Sequence, residues 1–366
     1  MKSQEIAEAW KKLIVGQDHA IDKIVPYIVR AMAGLNAPGR PIGVFFLMGP
    51  TGTGKTRTAE TLSEVLHGKD TNVLRIDCGE FQMEHEVAKL IGAPPGYLGH
   101  RETHPVLAQA KINAVASDKS PISIILFDEI EKGSSSLWRV LLGILDKAVL
   151  RLGDNTSADF QKTMIFMSSN LGAKEMAEIF SGGFGFNRVQ GPMTANIFSD
   201  TSFNAIQKIG LGALSKKFPP EFQNRVDEII TYKPLNDETL RKITILELNK
   251  IQTQITERLA AKAFTLNFDD PTVDLITKQG TSIQYGAREL KRVVNRTLLN
   301  PLADDYIDGK IMPGAEVFCK VILTEELTQK IEWEVEPPEE GEEILSDDTQ
   351  PEVPVIKRTR KRQQAT

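Results

Sequence analysis

Six residues suited to a buried strand, Gly43-Val-Phe-Phe-Leu-Met48, run directly into Gly49-Pro-Thr-Gly-Thr-Gly54-Lys55-Thr56. Few folds accommodate that junction. Glycines let a backbone turn tightly enough for successive N–H groups to converge on one anion, and the helix that follows presents its positive end to the same point. A lysine in register reaches phosphate oxygens, and the next hydroxyl suits a hard divalent cation. Gly49, Pro50, Thr51, Gly52, Thr53, Gly54 and Lys55 are therefore expected to hold the phosphates of ATP, with Thr56 on Mg²⁺. A glycine-rich turn that binds nothing is the plain alternative, and Lys55 and Thr56 in sequence count against it.

The rest of the first two thirds fits such a site. Asn72-Val-Leu-Arg-Ile-Asp77, Ile122-Ser-Ile-Ile-Leu-Phe127 and Thr163-Met-Ile-Phe-Met167 are further apolar strands separated by helical stretches, the alternation of an α/β parallel sheet. The pattern predicts a large α/β domain over residues 1–233. After Pro234 the composition shifts: Asn236 reads as an N-cap, and Leu248, Ile251, Ile255 and Leu259 share one helical face. A smaller, mainly helical lid domain is expected over 234–325. Residues 326–366 are expected to be a disordered tail, acidic and then basic, ending in Lys357-Arg-Thr-Arg-Lys-Arg362.

Charge supports that division. The chain has 44 Lys and Arg against 49 Asp and Glu, of which residues 332–366 hold 5 and 10, leaving 39 of each in the body. A neutral body lacks the basic excess of a nucleic-acid footprint, so nucleic acid is expected only through the basic tail, if that tail is more than a solvated segment. No apolar run approaches the ~20 residues of a membrane helix. No secretory signal is visible, so a cytoplasmic location is expected. Cys78 and Cys319 suggest neither a disulfide framework nor a zinc site.

Two carboxylates end the third of these strands, at Ile124-Ile-Leu-Phe-Asp128-Glu129. A strand tip is where an α/β sheet presents ligands. Asp128 suits the Mg²⁺ hydration shell, and Glu129 suits a general base toward an attacking water. Asn170 follows the strand ending at Met167. By itself it reads as a helix N-cap; at this sheet edge it could also orient water or sense the γ-phosphate.

Taken together these residues resemble an AAA+ ATPase, and further stretches resemble the Clp unfoldase family, in particular the second ATPase ring of ClpB, ClpC and ClpA. Ile14-Val15-Gly-Gln17 is similar to the family's box beside adenine, and Leu90-Ile-Gly-Ala-Pro-Pro-Gly96-Tyr97-Leu98-Gly99 to its axial pore loop. Phe218-Pro-Pro-Glu-Phe-Gln-Asn-Arg225-Val-Asp resembles the arginine-finger segment, and Tyr285-Gly-Ala-Arg288-Glu-Leu-Lys-Arg the small domain's sensor. The resemblance implies a P-loop AAA+ module: a parallel sheet flanked by helices, with a helical lid. It also implies a homo-oligomeric, hexameric ring in which Arg225 reaches a neighbour's nucleotide, while Asn170 and Arg288 sense nucleotide in their own subunit. Without the family pattern, Arg225 would read as a surface residue paired with Asp227 or Glu228.

The implied function is an ATP-dependent protein unfoldase or chaperone that threads polypeptide past Gly96, Tyr97, Leu98 and Gly99. An aromatic flanked by glycines grips a chain by contact area without demanding a sequence. His100 and His104 depart from the acidic residues usual after the loop and, lacking a third ligand nearby, read as solvated histidines. No Gly-x-Ser-x-Gly elbow suggests peptide cleavage by the chain itself. Gly182-Gly-Phe184-Gly-Phe186 could dock a separate peptidase, although its first apolar position departs from the family's; folding back on its own domain is the alternative. A rival function is a nucleotide-switched remodelling scaffold acting on one partner without processive translocation.

Overall fold

The structure, a computed structural model, describes residues 3–92, 105–180, 200–281, 287–323 and 329–337. The chain forms two compact units, Met1–Pro234 and Leu235–Thr366. The pore-loop residues Gly96, Tyr97, Leu98 and Gly99, the histidines His100 and His104, the Phe184 and Phe186 stretch, Tyr285 and the basic run from Lys357 lie outside the described residues.

In the first unit the strands are β1 (Gly43–Met48), β2 (Val73–Asp77), β3 (Ser123–Asp128), β4 (Val149–Arg151), β5 (Ser157–Asp159), β6 (Thr163–Ser169) and β7 (Glu228–Thr231). Among the described residues, five of them form one parallel sheet in the order β2-β3-β6-β1-β7, and β4 and β5 pair as a separate hairpin. The near-continuous apolar character of the central strands follows from burial on both faces. Val44, Phe46 and Met48 of β1, Ile125 and Phe127 of β3 and Ile165 and Met167 of β6 join one core with Leu141, Ile144 and Phe218. The alternate residues Phe45, Leu47, Ile124, Leu126, Met164 and Phe166 join a second core with Trp10, Ile24 and Leu62 from helices on the other side. Period-two alternation thus divides one sheet between two cores.

The second unit begins with the helix Asp237–Leu259, capped by the Asn236 side chain, which accepts from the Thr239 N–H at 2.8 Å. Leu248 and Ile251 are buried, and Ile255 and Leu259 pack beside them. Strands β8 (Thr265–Phe268), β9 (Glu316–Leu323) and β10 (Gln329–Glu336) make a sheet in the order β10-β9-β8, against helices including Asp270–Gly280.

The tail expected from residue 326 is corrected by β10. Gln329–Glu336 pairs along its whole length, antiparallel, with β9. Ile331 is buried, and Trp333 and Val335 pack against the same core, while Lys330, Glu332, Glu334 and Glu336 alternate with them. Those glutamates belong to an amphipathic strand with one wet face, not to a solvated acidic run. Among the described residues, no helix is long and apolar enough to cross a membrane.

Candidate nucleotide site

The site lies at the carboxyl ends of three neighbouring strands, β3, β6 and β1. At the end of β1 the backbone passes so close to the residue after β7 that a Cβ at Gly49 would meet the Tyr232 carbonyl oxygen at 3.1 Å. Gly49 also has φ of 142°, which only glycine adopts without strain. Gly52 and Gly54, at φ of 75° and 102°, complete the loop, and Gly54 caps the helix Lys55–His67. A Cβ at Gly54 would meet nothing within 4 Å, so open space lies at the helix N-terminus where an anion is favoured. The loop is braced from within by Thr53, whose hydroxyl donates to the Pro50 carbonyl at 2.9 Å.

Lys55 is buried, and its ammonium donates to the Gly49 and Pro50 carbonyls at 2.7 Å each. A buried ammonium needs such acceptors. Gln17, fully buried, fixes the loop from outside: its Nε2 donates to the Thr53 carbonyl at 3.3 Å and the Lys233 carbonyl at 2.8 Å, and its Oε1 accepts from the Lys233 N–H at 3.1 Å. The Ile14–Gln17 segment is thereby brought to the phosphate loop, with Ile14 buried in the core and Val15 half-buried. Nearby, His19 bonds the Thr231 carbonyl at 2.9 Å, and burial holds its imidazole below the ordinary value. The Tyr232 and Thr58 hydroxyls are joined at 2.5 Å behind the loop.

At the tip of β3, Asp128 gathers three partners. The Thr56 hydroxyl donates toward it at 3.3 and 3.4 Å, the Ser168 hydroxyl makes a short bond to Oδ1, and Arg75 of β2 donates to Oδ2 at 2.5 Å. Glu129 follows in the left-handed region at φ of 56°, a conformation costing a non-glycine residue about 1–3 kcal/mol. Its N–H donates to Ser168 at 3.1 Å, so β6 holds the turn in place. The Glu129 carboxylate accepts from the Asn170 amide at 3.4 Å and from Lys132 at 2.5 Å, and it holds the Lys132 ammonium above its ordinary value. Glu131 accepts from the Asn170 backbone N–H at 3.1 Å.

The structure therefore brings together the phosphate loop, Thr56, Asp128, Glu129 and Asn170. The donor set fits a magnesium nucleotide, with hydroxyl and carboxylate oxygens beside open space at a helix N-terminus. Among the described residues no cluster of three or more His, Cys, Asp or Glu could hold a metal alone.

A model described as AAA domain (Cdc48 subfamily) matches residues 40–229, over half of the chain. The chain belongs to the AAA family of ATPases. Residues 235–319 of this AAA chain match a model described as the C-terminal, D2-small domain of ClpB protein. The chaperone protein ClpB of Meiothermus ruber is 38% identical over 307 residues, covering 84% of this chain and 33% of the relative. The ATP-dependent Clp protease ATP-binding subunit ClpC of Staphylococcus epidermidis is 35% identical over 306 residues, covering 84% of this chain and 35% of the relative. A solved structure of Hsp104 in a closed state, with ATPγS and FITC-casein, superposes with a TM-score of 0.72 at 26% identity over 91% of this chain and 52% of that one. The chain thus spans about a third of the length of the curated relatives it matches.

Two remaining residues lie apart from the strand tips. Arg225 follows the short helix Pro220–Gln223, is half-exposed, and pairs with Asp146 at 3.2 Å. The two partners expected from sequence are engaged elsewhere: Asp227 accepts from the Val44 N–H at 2.8 Å, and Glu228 pairs with Lys23 at 3.2 Å. Arg288 is carried by the second unit, exposed in the turn before the helix Leu290–Val294. Sequence reasoning did not find Arg75 or the tethering role of Gln17. A strand arginine carries no motif, and a lone buried glutamine shows its partners only in three dimensions.

Proposed function

We propose that this chain hydrolyses ATP in a homo-oligomeric, hexameric ring and uses the cycle to unfold polypeptide and thread it through an axial pore. The observation that carries the reading is the convergence of Lys55, Thr56, Asp128, Glu129 and Asn170 on the open N-terminus of one helix at the sheet edge. The names of the relatives support the choice of polypeptide as the object of that hydrolysis.

In this reading the loop N–H groups and Lys55 bind the phosphates, Lys55 exchanging two carbonyl partners for phosphate oxygens. Thr56 and Asp128 hold Mg²⁺, which when bound neutralises charge on the transferring phosphoryl group. Glu129 takes the proton of the attacking water, and Asn170 orients Glu129 or that water from β6. Ile14 and Val15 border the base. Arg225 leaves Asp146 to act on a neighbour's nucleotide, and a planar guanidinium matches the spread charge of phosphoryl transfer. Arg288 senses nucleotide from the lid unit, Gly96, Tyr97, Leu98 and Gly99 contact the threaded chain, and a peptidase could dock through Phe184 and Phe186.

ATP-driven unfolding of a fluorescent protein bearing a disordered extension tests the reading, with wild type and Tyr97→Ala compared at matched ATPase rates. Loss of unfolding with ATPase retained is the expected result. ATP hydrolysis without unfolding by either protein would contradict threading and favour a nucleotide-switched remodelling scaffold.

A further inference from the structure

Arg75 has no part in the proposed nucleotide chemistry, although the role inferred for it rests on that reading. It lies on β2, where its backbone partner across the ladder is Leu126 of β3, two residues before Asp128. Its guanidinium extends along the sheet to the strand tip and donates to Asp128 Oδ2 at 2.5 Å. The burial of the two partners is unequal: the Arg75 side chain is 57% exposed and that of Asp128 only 11%. Other ion pairs of this unit, such as Arg139 with Glu84, join two exposed groups, where the attraction is small.

A nearly buried carboxylate is costly unless a cation compensates it. A hydrated divalent cation would compensate Asp128 when nucleotide is bound, but some other charge must do so before. Asp128 accepts at both oxygens, from Ser168 at Oδ1 and from Arg75 at Oδ2, with Thr56 shared between them, and of these three partners Arg75 alone carries charge. A metal ion arriving with nucleotide, held directly or through its water, meets the guanidinium as a like charge at the same carboxylate. Arg75 is the partner that can leave at least cost, because its side chain is 57% exposed whereas Ser168 is buried.

We propose that Arg75 is a placeholder cation for Asp128: it compensates the carboxylate in the metal-free site and withdraws when magnesium nucleotide binds. Arg75 is thus a positioning residue that sets how strongly nucleotide binding depends on Mg²⁺. Removing it has two opposed effects. Without Mg²⁺, the uncompensated Asp128 repels the nucleotide's phosphates and weakens binding. With Mg²⁺, no guanidinium has to be displaced, so less metal suffices.

The test is equilibrium binding of a fluorescent, non-hydrolysable ATP analogue to the full chain, in EDTA and across a Mg²⁺ titration, for wild type, Arg75→Gln and Arg75→Lys. Arg75→Gln is expected to bind the metal-free analogue about fivefold more weakly and to reach half-saturation at about fivefold less Mg²⁺. Arg75→Lys keeps the charge and is expected to stay within about twofold of wild type in EDTA. Should Arg75→Gln fail to fold, Arg75→Met retains the aliphatic stem and is read by the same titration, with the same expectation. Equal weakening with and without metal would mark a structural residue and overturn the proposal, as would an unchanged Mg²⁺ midpoint. If wild type binds no analogue even with Mg²⁺, the nucleotide-site reading falls along with this one.

Discussion

Gln17 joins the N-terminal turn, the phosphate loop and the chain leaving β7 through three hydrogen bonds, all made by one fully buried amide. Replacing it with alanine strands the Lys233 N–H and two carbonyls, each unmet buried group costing about 1–3 kcal/mol. Gln17→Ala should therefore lower the thermal unfolding midpoint of the first unit even without nucleotide, and weaken ATP binding beyond that loss. An unchanged midpoint would mean that water replaces the amide and that the tether has no structural weight. The sequence placed Ile14–Gln17 beside the base by resemblance, yet which residue ties the loop was not legible there, because the partners are backbone groups up to 216 positions away. Asp128 and Glu129 were legible because two acids closing a buried strand, downstream of a phosphate loop, suit little besides a ligand site. Arg75 was not, since a charged residue on an outer strand usually just faces solvent.

At the scale of elements, the central strands were readable from apolar continuity, which records burial on both faces. Strand β7 was not, because a four-residue strand is too short for a pattern to stand out. Strand β10 was obscured for a different reason: its outward residues Glu332, Glu334 and Glu336 merge by composition with the acidic residues beyond, and only the period-two placement of Ile331, Trp333 and Val335 separates them. Ending the chain after Ile331 would remove Trp333, whose indole N–H donates to Asp305 at 3.0 Å, and Val335 from the core. Losing two packed side chains should destabilise the second unit by about 3–6 kcal/mol, seen as a drop in its thermal midpoint. Ending the chain after Pro337 keeps β10 whole and should leave that midpoint unchanged; equal loss for both truncations would show that the segment beyond β10 packs.

For the whole molecule, the Arg225–Asp146 pair bears on assembly. Both partners are about half-exposed, so the pair is weak, and the proposed trans role of Arg225 requires only that this weak pair be exchanged for a phosphate. Arg225→Ala should bind ATP with near wild-type affinity and hydrolyse it poorly. Mixed with Glu129→Gln subunits, it should regain part of the lost ATPase, because some interfaces then join an intact Arg225 to an intact Glu129. No recovery on mixing would argue that Arg225 acts within its own subunit or not at all. Family membership and the nucleotide fold follow from the chain itself. Its assembly and its object are proposals drawn from relatives of which it spans about a third, and subunit mixing tests the first of them. The most direct measurement compares wild type with Glu129→Gln for ATP binding and for steady-state hydrolysis in Mg²⁺. The strand-tip account predicts retained binding with hydrolysis reduced about 10²–10⁴-fold, the range of a lost general base; hydrolysis at the wild-type rate would contradict it.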